Sequence, residues 1–192
     1  MNRSNLKTSL KELARIQTGM FGQPTARGEV VYLQAKHFDE DGAISTVLHP
    51  DLKNGTQISK HLLRPDDVLF AAKGTKNFAT LYKVPNQPAV ASTTFFVIRD
   101  INEDLLPQYL VWLLNHPTSQ SYLKRGAIGS SIASISKTVL EDLKLIVPPV
   151  HIQNRILELA RLSKRENSLL LKLAELRQEK IQKQIIHTLN KI

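Results

Sequence analysis

The sequence predicts an α+β fold, in which a mixed, β-rich domain is followed by one long C-terminal α-helix. Short apolar runs bounded by glycine, proline and aspartate recur through the first half of the chain, as is typical of strands. From Leu105 the apolar residues follow a helical period instead. After Pro148 and Pro149 the chain contains no further glycine or proline. A segment of about forty residues without helix breakers predicts one continuous helix.

We therefore divide the chain into a domain of residues 1–147 and a long helix within residues 148–192. A helix of about forty residues is about 60 Å long, too long for a domain of this size to cover its apolar stripe. We expect the stripe to pack against a partner helix, in another subunit or in a second copy of the chain. Five leucines mark this predicted dimer helix: Leu159, Leu162, Leu169, Leu173 and Leu176.

Composition narrows the class of protein. The chain has 192 residues, 42% of them hydrophobic, and no cysteine, so disulfides and thiolate chemistry are excluded. No apolar run is long enough to span a membrane, and the first residues lack the apolar centre of a secretory signal. We therefore expect a cytoplasmic protein without a membrane partner. The net charge of +9 favours a polyanionic partner.

The apolar pattern predicts the following order of elements. Residues 6–16 indicate a short amphipathic segment, and residues 20–28 a loop. A helix is expected from Pro107 to Leu114 and a second one from Ser119, with Tyr109 and Trp112 in the core rather than stacked on a base. A turn at Asp66 and Asp67 precedes one of the strands. The predicted strands are residues 30–33, 68–71, 79–84, 89–98 and 143–147.

Acidic residues are absent from two long stretches, between Asp67 and Asp100 and between Asp104 and Glu141. Each stretch contains a small polar loop with lysine or arginine beside it. Glycine lets a backbone approach closely, and short polar side chains next to cations are suited to phosphates and base edges. We predict that these loops bind nucleic acid, with Gln23 and Arg27 as further candidates. The main candidates are Lys73, Thr75, Lys76, Asn77, Lys124, Arg125, Ser130, Ser131 and Lys137.

Catalytic interpretations are less well supported. The six histidines form no close helical pair, which argues against a zinc site. Two Asp-x-Lys tripeptides, at residues 51–53 and 142–144, match part of a nuclease site but lack an upstream acid placed to hold a metal. Surface charge pairing explains both. We predict no catalytic residue, no metal site and no cofactor.

Several short motifs follow one another in a distinctive order: the run 62–70 followed by Lys73-Gly74, then Tyr109-Leu110, residues 126–131, and the run 135–156 with its two prolines and Gln153. Together these motifs resemble the specificity subunit of Type I restriction–modification enzymes. The resemblance covers nearly the whole chain. His151 departs from it, because the family usually has an acidic residue two positions before the glutamine.

The resemblance implies a target-recognition domain that reads double-stranded DNA without catalysis. Family members typically contain two recognition domains and two antiparallel helices, whereas this chain has one of each. It therefore resembles a half-subunit, which would form a homodimer through a coiled coil, read a bipartite and palindromic site, and scaffold the modification (methyltransferase) and restriction subunits. Two alternatives remain: a helical adaptor that binds DNA only through charge, and a metal-dependent nuclease.

Overall fold

The structure is a computed structural model that describes residues 7–39, 42–74, 76–83, 87–127 and 134–191. Its contacts divide the chain into two compact units, Met1–Gln153 and Asn154–Ile192. The first unit extends beyond the predicted end at residue 147, because it includes the first turn of the long helix. Thr75, Ser130 and Ser131, three of the candidate residues, lie outside the described residues.

The described residues form nine strands and six α-helices. The strands are Lys7–Ser9 (β1), Arg15–Thr18 (β2), Val30–Leu33 (β3), Pro50–Leu52 (β4), Val68–Ala71 (β5), Ala79–Leu81 (β6), Ala89–Ala91 (β7), Phe95–Arg99 (β8) and Lys144–Ile146 (β9). The helices are Leu10–Leu13 (α1), Thr56–Ser59 (α2), Pro107–Asn115 (α3), Pro117–Arg125 (α4), Lys137–Glu141 (α5) and Val150–Leu189 (α6). The predicted α+β class, with a β-rich domain and a long C-terminal helix, is confirmed.

Three small sheets form the first unit. An antiparallel sheet has the order β2-β8-β5-β6, a mixed sheet has the order β4-β3-β7 with β3 parallel to β7, and β1 pairs with β9. Every residue of β3, β5, β7 and β8 is buried. This is why these strands are continuous apolar runs rather than alternating ones. The rings of Phe38, Phe78 and Phe95 pack together in the core, with centroids 5.5–6.1 Å apart.

One prediction about strands was wrong. Residues 89–98 are not one strand, because a turn closed by a hydrogen bond from Phe95 N to Ser92 O separates β7 from β8. The two strands belong to different sheets. The segment 6–16 is amphipathic as predicted, since Leu10, Leu13 and Ile16 are buried and Lys11 and Arg15 are exposed, and it contains β1, α1 and the start of β2. Periodicity alone does not distinguish a helix from a strand over so few residues.

The helical predictions are confirmed with small shifts. Proline occupies the first turn of α3 as expected. The second helix starts at Pro117, two residues before the predicted Ser119, because the side chain of His116 caps it: Nδ1 accepts a hydrogen bond from Thr118 N at 3.3 Å. Tyr109 is buried as predicted, and the ring of the partly buried Trp112 stacks on it, with centroids 5.6 Å apart.

Gln153 is the only fully buried residue of α6 among those described. Its Nε2 donates to Asp104 O at 2.5 Å and to Pro148 O at 2.7 Å, while its Oε1 accepts from Leu106 N at 2.9 Å. Buried backbone groups must be hydrogen-bonded, and these three have Gln153 as a partner. One side chain therefore ties the start of α6 to the loop before α3.

The second unit is the remainder of α6. Its residues are exposed or partly exposed, and the five predicted stripe leucines retain 43–67% of their surface. In the described part of the chain, no helix combines the length and the apolarity needed to cross a bilayer.

A buried ion pair joins β5 to β8. Asp67 and Arg99 are each about 3% exposed; Arg99 Nε donates to Asp67 Oδ1 at 3.1 Å, and Nη2 donates to Asp67 Oδ2. Arg99 Nη2 also donates to Leu62 O at 3.1 Å, and Arg64 N donates to Asp67 Oδ2 at 2.8 Å. Asp66 adopts a positive φ of 65° in the turn, as the sequence suggests, but Asp67 does more than shape that turn.

We predict that Asp67→Asn lowers the free energy of unfolding by about 3–5 kcal/mol, because it leaves the buried charge of Arg99 uncompensated. Urea denaturation measures this change. Asp100→Asn is a matched control, since Asp100 pairs with Arg15 at 2.8 Å on the surface and both side chains are more than half exposed. The control should cost less than about 1 kcal/mol. Equal losses in the two variants would contradict a special role for the buried pair.

Candidate nucleic-acid interface

The first predicted loop joins β5 to β6. Lys73 and Lys76 are exposed in it, and Asn77 Nδ2 donates to Ala71 O at 2.9 Å. Gly74 has a φ of +137°, a conformation that strongly favours glycine. Asn77 therefore braces the loop from inside, while Lys73 and Lys76 face solvent.

The far side of this hairpin is held by α3. Asn115 Oδ1 accepts from Ala79 N at 2.8 Å, and Asn115 Nδ2 donates to Ala79 O at 2.8 Å. Strand β6 is the outer strand of its sheet, and one amide side chain satisfies both backbone groups of Ala79. The hairpin that carries Lys73 and Lys76 is thus fixed at both ends.

The second predicted loop begins at the end of α4. Lys124 and Arg125 are exposed in its last turn, where cations interact favourably with the helix dipole. Gly126 lies directly against α5, because a Cβ at this position would be 2.7 Å from Val139 Cγ1. A larger residue would push α4 and α5 apart, so glycine keeps Lys124 and Arg125 close to the start of α5.

Lys137 is the first residue of α5, next to Ser136, whose side chain caps the helix by accepting from Val139 N at 3.2 Å. Lys137 is exposed, and its Nζ lies 3.4 Å from Glu141 Oε1, one turn further along. This exposed pair is weak, so Lys137 remains available to an anionic ligand.

The backbone brings the two loops together. Lys73 forms an isolated antiparallel bridge with Ser134, and Ile135 N donates to Ala72 O at 2.9 Å. The exit of β5 and the end of the second loop are therefore hydrogen-bonded neighbours. Lys73 and Ser134 are more than forty residues apart in the sequence. The two acid-free stretches that contain them therefore meet at one place on the first unit.

The turn between β7 and β8 lies at the same place, and the sequence analysis missed it. Thr94 O accepts a hydrogen bond from Ala72 N at 2.9 Å, and the hydroxyls of Ser92 and Thr94 are 2.6 Å apart. Thr93 and Thr94 are partly exposed. The available signal was the polar trio Ser92-Thr93-Thr94 inside an otherwise apolar run, which marks a turn.

Gln23 and Arg27 are exposed on the loop between β2 and β3. This loop lies along β4, with Thr25 N donating to Asp51 O at 2.6 Å and Glu29 N donating to Leu52 O at 2.8 Å. Its first residue after β2 is Gly19, whose N donates to Phe95 O at 2.9 Å. The loop therefore starts beside the turn that contains Ser92–Thr94.

The Type I restriction modification DNA specificity domain is the family whose model matches this sequence, over residues 9–183. The chain belongs to this family. No curated protein matches the sequence.

Solved structures of specificity subunits share the fold. The HsdS subunit from Thermoanaerobacter tengcongensis aligns with a TM-score of 0.63 and 14% identity over 90% of this chain and 40% of that one. The S subunit of a Type I restriction-modification system from M. genitalium gives a TM-score of 0.55 and 14% identity over 93% and 44%. A third structure, which concerns complex assembly and conformational transition of the type I R-M system, gives 0.64 and 16% over 88% and 40%.

Family membership establishes that residues 9–183 form a DNA specificity domain of the Type I restriction–modification kind. The chain spans less than half the length of the specificity subunits that it matches. The similarity at 14–16% identity establishes the shared fold.

The two Asp-x-Lys tripeptides have structural partners. Asp142 Oδ1 is 2.7 Å from Lys11 Nζ, which raises the pKa of Lys11 through a hydrogen bond and the nearby charge, and Lys144 Nζ is 4.0 Å from Glu12. Surface pairing is therefore confirmed for residues 142–144. It is wrong for Asp51, whose Oδ1 accepts from the backbone N of Tyr32 at 2.9 Å. Among the described residues, no group of three His, Asp or Glu side chains is placed to hold a metal ion.

Proposed function

We propose that this specificity-domain protein reads the sequence of double-stranded DNA through the surface where its two acid-free loops meet. The observation that carries the proposal is the pairing of Lys73 with Ser134, which joins the two loops at the level of the backbone. Exposed cations surround this junction, and cations next to short polar groups are suited to hold phosphates while neighbouring side chains reach base edges.

Within this surface we assign two kinds of contact. Lysine and arginine side chains would hold phosphates and set the register of the protein on the duplex, and the short polar side chains would read bases. The candidates remain those that the sequence suggested: Lys73, Thr75, Lys76, Asn77, Lys124, Arg125, Ser130, Ser131 and Lys137. Asn77 would act mainly by bracing the loop, because its amide already donates to Ala71 O.

We further propose that two copies pair through their long helices as an antiparallel coiled coil. The stripe formed by Leu159, Leu162, Leu169, Leu173 and Leu176 is 43–67% exposed. Full burial of an exposed leucine contributes roughly 1.5–3 kcal/mol, so burying the remaining half of these five side chains on each of two copies stabilises the assembly by about 10 kcal/mol. A second copy offers the same stripe, and two-fold symmetry is the commonest arrangement of identical chains.

Such a dimer would contain two recognition units and two long helices, the same number that a full-length specificity subunit contains in one chain. It would then scaffold the methyltransferase and restriction subunits and direct them to one site. Two identical readers related by a dyad favour an inverted repeat, with identical half-sites separated by unread base pairs. A purely electrostatic adaptor would show neither half-sites nor sequence preference.

We predict that binding depends strongly on salt. If six to eight cations contact phosphates, log K falls with log salt with a slope of roughly −5 to −7. Lys73→Ala should reduce the steepness of that slope by about one unit, measured by fluorescence anisotropy on a duplex selected by the wild type. Lys60→Ala is the control, because Lys60 is exposed but lies outside the two loops proposed to bind DNA. A slope near zero for the wild type, or the same affinity for scrambled duplex, would refute sequence-specific reading.

We also predict that Leu169→Lys and Leu173→Lys, introduced together, convert a dimer into a monomer, because two buried cations would face each other across the helix pair. Sedimentation equilibrium at micromolar concentration measures the mass. Gln178→Lys is the matched control, since at 100° per residue it lies on the face opposite to Leu169. A wild type that sediments as a monomer, or a double variant with unchanged mass, would rule out this dimer.

The length of the helix should determine the spacing between half-sites. Deleting residues 177–183 removes about two turns, or about 10 Å, and keeps the apolar stripe in phase. The preferred spacer should shorten by about three base pairs at 3.4 Å each, while the half-site sequence stays the same. Selection from duplexes with variable spacers measures both properties. An unchanged spacer would show that the helix does not set the distance.

A further inference from the structure

We propose that Phe21 contacts bases in the bound DNA and helps to determine the sequence that is read. The inference rests on the proposed function and adds to it a residue that has neither charge nor hydrogen-bonding groups. Phe21 lies between Met20 and Gly22 at the start of the loop that joins β2 to β3, and it is 73% exposed. Phe21 would contact the same DNA as the residues at the junction of the two acid-free loops, where Lys73 pairs with Ser134.

The backbone on both sides of Phe21 is fixed by one buried hydroxyl. Tyr32 is 4% exposed, and its Oη accepts a hydrogen bond from Gly22 N at 3.1 Å and donates to Met20 O at 3.1 Å. Met20 N also donates to Ala91 O at 2.9 Å. The residues before and after Phe21 are thus tied to the core, so its ring is exposed by a constrained backbone.

Close packing beside the loop strengthens this constraint. A Cβ on Gly19 would be 2.1 Å from Ser92 O, and a Cβ on Gly22 would be 3.0 Å from Leu52 Cδ2. The backbone can therefore come this close to its neighbours only if residue 19 is glycine. At position 22 a side chain larger than glycine would force the side chain of Leu52 to move. A loop whose backbone is fixed in this way loses little backbone entropy when it binds a ligand, which favours a binding role for the side chain that it carries.

The position of Phe21 connects it to the proposed DNA surface. Met20 forms a bridge with Ser92, the turn that follows leads to Thr94, and Thr94 O accepts from Ala72 N, the residue before Lys73. A continuous series of backbone contacts therefore runs from Phe21 to the junction of the two loops. Any protein surface contains scattered apolar residues, but the backbone that carries this one is linked to the cationic junction through Met20, Ser92 and Ala72.

The charge around Phe21 also favours DNA over a protein partner. The loop that carries Phe21 also carries the cation Arg27, and the sequence has no acidic residue between Glu12 and Glu29. The nearest acid on β4 is Asp51, and its carboxylate is engaged with the backbone N of Tyr32 at 2.9 Å. An exposed aromatic ring among acid-free loops fits a polyanion that offers apolar groups, and thymine methyl groups and base faces are such groups.

The test uses the full chain and a pool of duplexes with a randomised central region. We expect Phe21→Ala to lose base preference at one or two adjacent positions of the motif that the wild type selects. Affinity for the wild-type motif should fall about five- to thirty-fold, the loss expected when one apolar contact of this size is removed. The salt slope should stay unchanged because no phosphate contact is lost, and the melting temperature should stay unchanged because the side chain is exposed.

Two further variants sharpen the result. Phe21→Leu keeps an apolar side chain and should retain more of the preference than Phe21→Ala. Val47→Ala is the matched control: Val47 is 79% exposed, but it lies between the acidic residues 39–41 and Asp51, so it should not alter the motif. A change of the same size in Val47→Ala would show a general effect of surface apolarity and would overturn the assignment.

The remaining outcomes separate this inference from the proposed function. If the wild type selects a motif and Phe21→Ala selects the same motif with the same affinity, Phe21 is not a reader, while the proposed function stands. If Phe21→Ala weakens binding to every duplex equally, the ring makes no base-specific contact, and the inference is again overturned. If the wild type selects no motif, both the proposed function and the role of Phe21 fail.

Discussion

Two backbone hydrogen bonds of Ala72 hold the proposed recognition surface together. Its N donates to Thr94 O and its O accepts from Ile135 N, both at 2.9 Å, and the residue is 1% exposed. Buried backbone groups must be paired, so these bonds are costly to break. Because they involve only main-chain atoms, side chains in the neighbouring loops can change without separating the three segments. A surface built in this way keeps its geometry while its chemistry varies.

Polar groups buried in the first unit supply a second kind of constraint. The pair Asp67–Arg99 connects β5 to β8, and Gln153 satisfies three backbone groups near the start of α6. A buried ion pair adds little net stability compared with apolar packing, but losing one partner is expensive. These residues therefore specify which strands and loops are neighbours. Arg99 lies in an acid-free stretch, and its position in the sequence would therefore suggest a contact with DNA. Its burial and its pairing with Asp67 explain why it is not a candidate.

The second unit depends on its surroundings in a different way. The helix beyond Gln153 exposes its leucines and carries nine basic and four acidic residues, so it has no core of its own. An isolated helix gains most of its stability from packing of its apolar face. The proposed pairing would supply that packing and would at the same time place two recognition units at a distance set by helix length. Stability and spacing would then have the same physical origin.

The sequence by itself determined the features that depend on local pattern. The apolar runs of β3 and β5, the proline at the start of α3, the double proline before α6 and the acid-free stretches are all readable along the chain, and they predicted the α+β class, the long helix and the cationic loops. The order of the motifs also indicated the family. Each of these signals involves residues that are close in sequence. A single sequence was therefore sufficient to predict the features that depend on them.

Only the tertiary structure decided which distant residues meet. The run 89–98 contains no glycine or proline, and three short polar residues are its only sequence signal for the turn at Ser92–Thr94; the tertiary structure decided that β7 and β8 belong to different sheets. The burial of Arg99, the bridge between Lys73 and Ser134, and the clasp of Tyr32 around Phe21 each join residues from different parts of the chain. Local periodicity does not encode such pairs, because they arise from the packing of strands and loops whose order in space differs from their order in sequence.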